Sequence, residues 1–131
     1  MPVAVTALYA GILALIVTAL AINVTAHRVR LGVSLGDGGK PQMQRMIRIH
    51  GNTVEYLPLG IVLMGLYELD GGARLPLHAC GIALILGRLL FIAGVWNSDG
   101  PNLVRATSMT VTWLTVAALA ILNLWQIGSS H

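Results

Sequence analysis

The stretch 3–26 contains no Lys, Arg, Asp or Glu over about 24 consecutive residues. A helix of that length, rising ~1.5 Å per residue, exceeds the ~30 Å hydrocarbon thickness of a bilayer. Three more apolar stretches follow at about 44–69, 75–96 and 103–127, joined by short connections rich in Gly, Asn and Asp. Only 10% of the 131 residues are charged and 56% are hydrophobic, whereas a soluble domain is about one-quarter charged. These features predict an all-α integral membrane protein, a four-transmembrane-helix bundle forming one domain over residues 1–131.

The charges that remain act as topology signals. His27, Arg28 and Arg30 follow the first stretch instead of preceding it, so it reads as a retained span with its N-terminus outside, unlike a signal peptide. Arg28, Arg30, Lys40, Arg45 and Arg48 flank the first connection, whereas the second carries only Arg74 beside Glu68 and Asp70. The positive-inside rule then places loops one and three in the cytoplasm and both termini outside. The net charge of +3 is scattered among apolar spans, with no dense basic patch interleaved with aromatics, which argues against nucleic acid as a partner. Trp125 suits an interfacial anchor, and 128–131 is expected to fray.

Several chemistries are disfavoured by spacing. Gly36-Asp37-Gly38-Gly39-Lys40-Pro41 lacks the Ser or Thr after Lys and the preceding strand that a phosphate loop requires, and reads as a connector. His27, His50, His78 and His131 show no metal spacing, and His78 and Cys80 cannot share a helix face, so no metal site is expected. Ser108, Thr110 and Thr112 lack a Ser/His/Asp arrangement and are expected to bond backbone or neighbouring helices. The single cysteine, Cys80, excludes an intrachain disulfide and reads as a small packing residue. Gly60, Gly65, Gly81, Gly87 and Gly94 permit close helix approach.

One stretch stands apart. The second span opens with Arg48, Asn52 and Glu55 at i, i+4 and i+7, a spacing that aligns them along one helix face. Polar groups in a membrane helix are costly and mark a functional site by default; the alternative is an anchor for headgroups or a neighbouring helix. Pro58 lies farther along the same span and predicts a bend near Val54. Arg88 lies well inside the third span. Counting residues from the cytoplasmic ends places both Glu55 and Arg88 ~12 Å deep. An unpaired charge there would cost several kcal/mol, so Glu55 and Arg88 are expected to pair, with Asn52 hydrogen-bonding nearby.

The motif Arg48-x-x-x-Asn52-x-x-Glu55-Tyr56-x-Pro58-Leu59 at the start of a second membrane helix resembles that of the MAPEG family, the membrane-associated proteins in eicosanoid and glutathione metabolism. The resemblance covers nearly the whole chain, and it is greater to small prokaryotic members than to the mammalian eicosanoid enzymes. It implies a homotrimer with glutathione bound between subunits near the cytoplasmic face of a bacterial inner membrane. Arg28, Arg48, Asn52, Glu55 and Tyr56 match positions that contact glutathione in family members, and His50 falls where polar residues often join them. Gly87-Arg88-Leu89-Leu90-Phe91-Ile92-Ala93-Gly94 is similar to the family's third-helix pattern and adds Arg88 to the candidate binding set. Arg105 resembles the arginine that family enzymes direct at the glutathione thiol, which makes it the candidate catalytic residue.

The residue chemistry agrees in kind. Glutathione carries two carboxylates and one amine. Arg28 and Arg48 can clamp carboxylates, Glu55 can take the ammonium, and Asn52 can bond the peptide groups. Arg105 can stabilise a thiolate that attacks a lipophilic small-molecule substrate dissolved in the bilayer. Arg28 and Arg105 also suit interfacial anchoring. Family synthases carry tyrosines at the positions of Phe91 and Val95, and this chain does not. The expected function is a glutathione-dependent enzyme that transfers glutathione to, or reduces, lipophilic electrophiles or peroxides. The alternative is a non-catalytic glutathione- or lipid-binding protein of the same fold. A small transporter is disfavoured by the short loops and the absence of a visible repeat.

Overall fold

The computed structural model describes residues 1–129. It contains four helices, α1 (Ala4–Leu31), α2 (Pro41–Leu69), α3 (Arg74–Trp96) and α4 (Leu103–Ser129), and no strand among the described residues. Three of them, α1, α3 and α4, are long and apolar enough to cross a membrane. α2 has the length, but Asn52, Glu55 and Glu68 dilute its apolar surface. Both α2 and α3 pack against all three other helices, whereas α1 and α4 do not touch. Asn52 of α2 and Arg88 of α3 are thereby enclosed by protein, as a bilayer requires of polar side chains.

Helix ends follow local chemistry. α1 continues five residues past the expected boundary, so Arg28 and Arg30 ride on its last turns and the first connection shrinks to 32–40. It stops where Gly32 adopts φ +66°, with the Val33 N–H reaching the Arg28 carbonyl at 3.0 Å and the Gly32 N–H the Val29 carbonyl at 3.4 Å. This is a Schellman ending, which needs a residue without Cβ strain at the left-handed position. α2 ends in the same way at Gly71, φ +81°, and starts with Pro41 at its first turn, where a missing N–H costs nothing. Pro58 lies inside α2 without ending it. α4 extends through Gly128 and Ser129 where fraying was expected; Ser130 and His131 lie outside the described residues.

The N-terminus of α1 has no local side-chain cap. Its orphan N–H groups are met from across the bundle: the Glu68 carboxylate accepts the Val5 N–H at 2.9 Å and the Thr6 N–H at 2.7 Å. A carboxylate there also complements the positive end of the helix dipole. Glu68→Ala is expected to lower stability by about 1–2 kcal/mol, the scale of a lost N-cap, and Glu68→Gln by less. Thermal unfolding in detergent measures this, and an unchanged midpoint for Glu68→Ala would show that water replaces the cap.

Two apolar clusters fill the bundle. One joins Tyr9, Leu13, Leu57, Met64, Leu77, Cys80, Leu84 and Leu119. The other joins Leu20, Met46, Ile49, Phe91 and Val95. Along α2 and α3, the interval between them is occupied by Asn52 and Arg88, both buried. Large apolar side chains such as Leu15, Ile22, Leu114 and Trp125 cover the outside, each more than 60% exposed, as a lipid-facing surface requires.

Candidate functional site

Arg88 is fully buried, at 0% exposure. Its Nη1 donates to Asn52 Oδ1 at 2.6 Å, and its Nη2 donates to Thr112 Oγ1. The Tyr56 and Phe91 ring centroids lie 6.0 and 5.5 Å from its guanidinium carbon. Nε has no hydrogen-bond partner. A buried cation is thus solvated by an amide, a hydroxyl and two ring faces, with no carboxylate among them.

The expected Glu55–Arg88 pair is not formed. Among the described residues the ion pair present is Arg45–Asp99, and Glu55 is exposed. The helical stripe explains this: Arg48, Asn52 and Glu55 straddle the edge of the buried face instead of pointing together, so Asn52 turns inward while Arg48 and Glu55 turn out. Asn52, expected only as a nearby partner, meets Arg88 directly. Thr112 on α4 makes both kinds of bond expected of it, to its own helix at the Ser108 carbonyl and to a neighbouring helix at Arg88. It is fully buried and occupies the space opposite Gly87, where an added Cβ would stand 2.7 Å from its Oγ1.

Closer to the α2 N-terminus, a cavity of about 260 Å³ opens between α2, the α3–α4 turn and α4, lined by Arg45, Arg48, Val95, Ser98, Asp99 and Arg105. Three guanidiniums face one carboxylate, so the lining is net cationic and suits an anion. Arg48 is exposed and makes no hydrogen bond or ion pair among the described residues. Arg45 read from sequence as an ordinary flanking charge. In the structure its Nη1 lies 2.5 Å from Asp99 Oδ1 and its Nε donates to the Trp96 carbonyl at 3.1 Å, tethering the α3–α4 turn to α2. Its position three residues before Arg48, on the same helix face, is the sequence signal that would have found it. The tether also brings the first and third connections to one end of the bundle.

Arg105 sits at N3 of α4. Its N–H donates to Asn102 Oδ1 at 2.8 Å, and Asn102 Nδ2 donates to the Gly94 carbonyl of α3 at 2.6 Å. α3 and α4 approach so closely here that a Cβ on Gly94 would lie 2.9 Å from the Arg105 nitrogen. The guanidinium carbon is 5.9 Å from the Phe91 centroid. Arg105 lines the cationic cavity and also an apolar groove along α4 formed with Ala106, Met109 and Trp113.

The remaining candidates are distributed more widely. Arg28 donates to the Gly36 carbonyl at 2.8 Å and to the Val33 carbonyl at 3.5 Å, organising the first connection, and it does not line the cavity of Arg48 and Arg105. His50 and Tyr56 are half-buried on α2. One chain therefore unites Arg48 with Arg105, and Asn52 with Arg88 and Tyr56, while Arg28, His50 and Glu55 stand apart.

These features define an all-helical membrane bundle with a buried polar centre and a cationic cavity at one end. The MAPEG family model matches residues 6–125, and the chain belongs to the MAPEG family. It is 38% identical over 129 residues to the inner membrane protein YecN of Escherichia coli strain K12, covering 94% of this chain and 92% of that protein. The inner membrane protein YecN of Escherichia coli O6:H1 matches with the same figures.

Proposed function

We propose that this protein binds glutathione and transfers it to, or uses it to reduce, lipophilic electrophiles or peroxides at the cytoplasmic side of a bacterial inner membrane. The observation that carries this reading is the convergence of Arg48 and Arg105 on one cationic cavity, from helices far apart in sequence. Arg48, beside Arg45, suits the ligand's carboxylates. Arg105 borders both the cavity and the apolar groove of α4, the position from which a thiolate can meet a substrate arriving from lipid. A guanidinium next to the sulfur lowers the thiol pKa and raises the thiolate fraction. No protein nucleophile is needed.

The functional unit in this reading is a homotrimer, with glutathione in clefts between subunits. Two features support it. The cavity of about 260 Å³ is small against the ~300 Å³ and above typical of ligand sites, as expected of half a cleft. Glu55 is exposed on a membrane helix beside Val54 and Leu59 and has no partner among the described residues. A lipid-facing carboxylate is costly; a neighbouring subunit or the ligand's ammonium would remove that cost. Both termini lie outside, in keeping with the basic first connection.

A non-catalytic glutathione- or lipid-binding role is the second reading. Phe91 and Val95, at the family's tyrosine positions, are 1% and 3% exposed and offer no hydroxyl to a ligand.

Titrating the detergent-purified protein with glutathione, by calorimetry and melting temperature, separates these outcomes when followed by an aryl-halide electrophile. Binding with conjugation above the uncatalysed rate supports the enzyme. Binding without it favours the holding role. No binding at millimolar glutathione removes the enzyme and the glutathione-holding role and leaves lipid binding alone. In the same titration Arg48→Ala is expected to weaken binding by at least about 1.5 kcal/mol, the scale of a charged hydrogen bond. Unchanged affinity would take Arg48 out of the site.

A further inference from the structure

We infer that Phe91 is a positioning residue for Arg105: its ring holds the guanidinium at the cavity without neutralising it. The inference rests on the proposed role of Arg105 beside a thiolate and specifies how that charge is kept available.

Arg105 is fixed at both ends. Its backbone is set by the Asn102 bridge between α3 and α4 and by the close approach of Gly94. Its guanidinium lies 5.9 Å from the Phe91 centroid and makes no hydrogen bond or ion pair among the described residues. Phe91 cannot swing away, because it is 1% exposed and packed with Leu20, Met46, Ile49 and Val95. The same ring also lies 5.5 Å from the Arg88 guanidinium, so one phenyl group serves two cations.

The choice of partner matters electrostatically. A carboxylate would orient Arg105 equally well but would cancel its charge and compete with a ligand anion. A ring quadrupole attracts the cation while leaving the net charge at +1. An aliphatic side chain of similar size would fill the space and supply neither orientation nor attraction. Tyrosine at this position would keep the ring face but add a hydroxyl to an apolar cluster.

The test compares wild type, Phe91→Leu and Phe91→Tyr, all full-length in detergent. The pKa of the bound glutathione thiol is read from thiolate ultraviolet absorbance across pH. Affinity for S-methylglutathione, which cannot form a thiolate, reports cavity integrity independently. Phe91→Leu is expected to reduce the thiolate fraction near neutral pH by roughly three- to tenfold, the scale of a partly desolvated cation–π contact, with S-methylglutathione affinity unchanged. Phe91→Tyr keeps the ring face and is expected to shift the thiol pKa by less than Phe91→Leu. If Phe91→Leu does not survive purification, Phe91→Met supplies the same comparison with a side chain that refills the gap. An unshifted thiol pKa in the aliphatic variant, or equal shifts in the leucine and tyrosine variants, overturns the inference while leaving glutathione binding intact. Failure of the wild type to bind glutathione overturns the proposed function itself, and this inference with it.

Discussion

Arg105→Ala is expected to lower kcat for glutathione conjugation by on the order of 10²–10³-fold, the loss seen when one preorganised donor to a developing charge is removed. Glutathione affinity should fall by less than about tenfold, because Arg45 and Arg48 remain on the cavity wall and under the proposed reading would hold the carboxylates. Arg105→Lys should fall between wild type and alanine, since it retains the charge but lacks the planar guanidinium, which can stack on a ring. Steady-state kinetics in detergent, combined with calorimetry, distinguish the alternatives. A matched loss of affinity and turnover would assign Arg105 to binding alone. Wild-type turnover in the alanine variant would leave it as an interfacial anchor.

The second large effect is on stability. Asn52→Leu should destabilise the bundle by about 2–3 kcal/mol, the range for losing a hydrogen bond to a charged group. The protein has few ways to absorb that loss. Arg88 is fully buried, its Nε already lacks a partner, and without Asn52 only Thr112 and two rings would solvate it. Average side-chain hydrogen bonds between membrane helices contribute less, about 0.6 kcal/mol, but those averages are not for a buried, uncompensated cation. The larger figure therefore governs. The double variant Asn52→Leu with Arg88→Met should regain most of the loss, since a buried polar pair can be replaced by apolar groups far more cheaply than it can be broken. Thermal unfolding of the single and double variants measures both. Additive losses in the double variant would mean that Arg88 stabilises the fold through packing and not through Asn52.

Four helices and their order were legible in the chain because a bilayer demands long apolar stretches, and because Pro41 and Gly71 mark helix ends through backbone chemistry that is local. The same locality made the first span read short: His27, Arg28 and Arg30 look like a loop by polarity, yet helical hydrogen bonding persists to a Schellman ending at Gly32. The polar motif of α2 was equally visible, since Arg48, Asn52 and Glu55 are conspicuous in a charge-poor helix.

Which groups meet was not legible, because contact depends on how helices rotate about their axes and on partners distant in sequence. Depth counting placed Glu55 and Arg88 at one level, but level does not fix azimuth. Inward rotation of Asn52 gave Arg88 an amide and left Glu55 outside. Thr112 joins that group from 24 residues away, and Arg45 reaches Asp99 across 54, separations that no helical periodicity spans. Composition and spacing thus established a membrane bundle with a polar, cationic end, since the cost of charge in lipid acts on every residue singly. Helix packing alone established that a neutral amide and a hydroxyl solvate the buried arginine, and that Arg48 and Arg105 share a cavity, since those outcomes depend on the relative rotation of four helices at once.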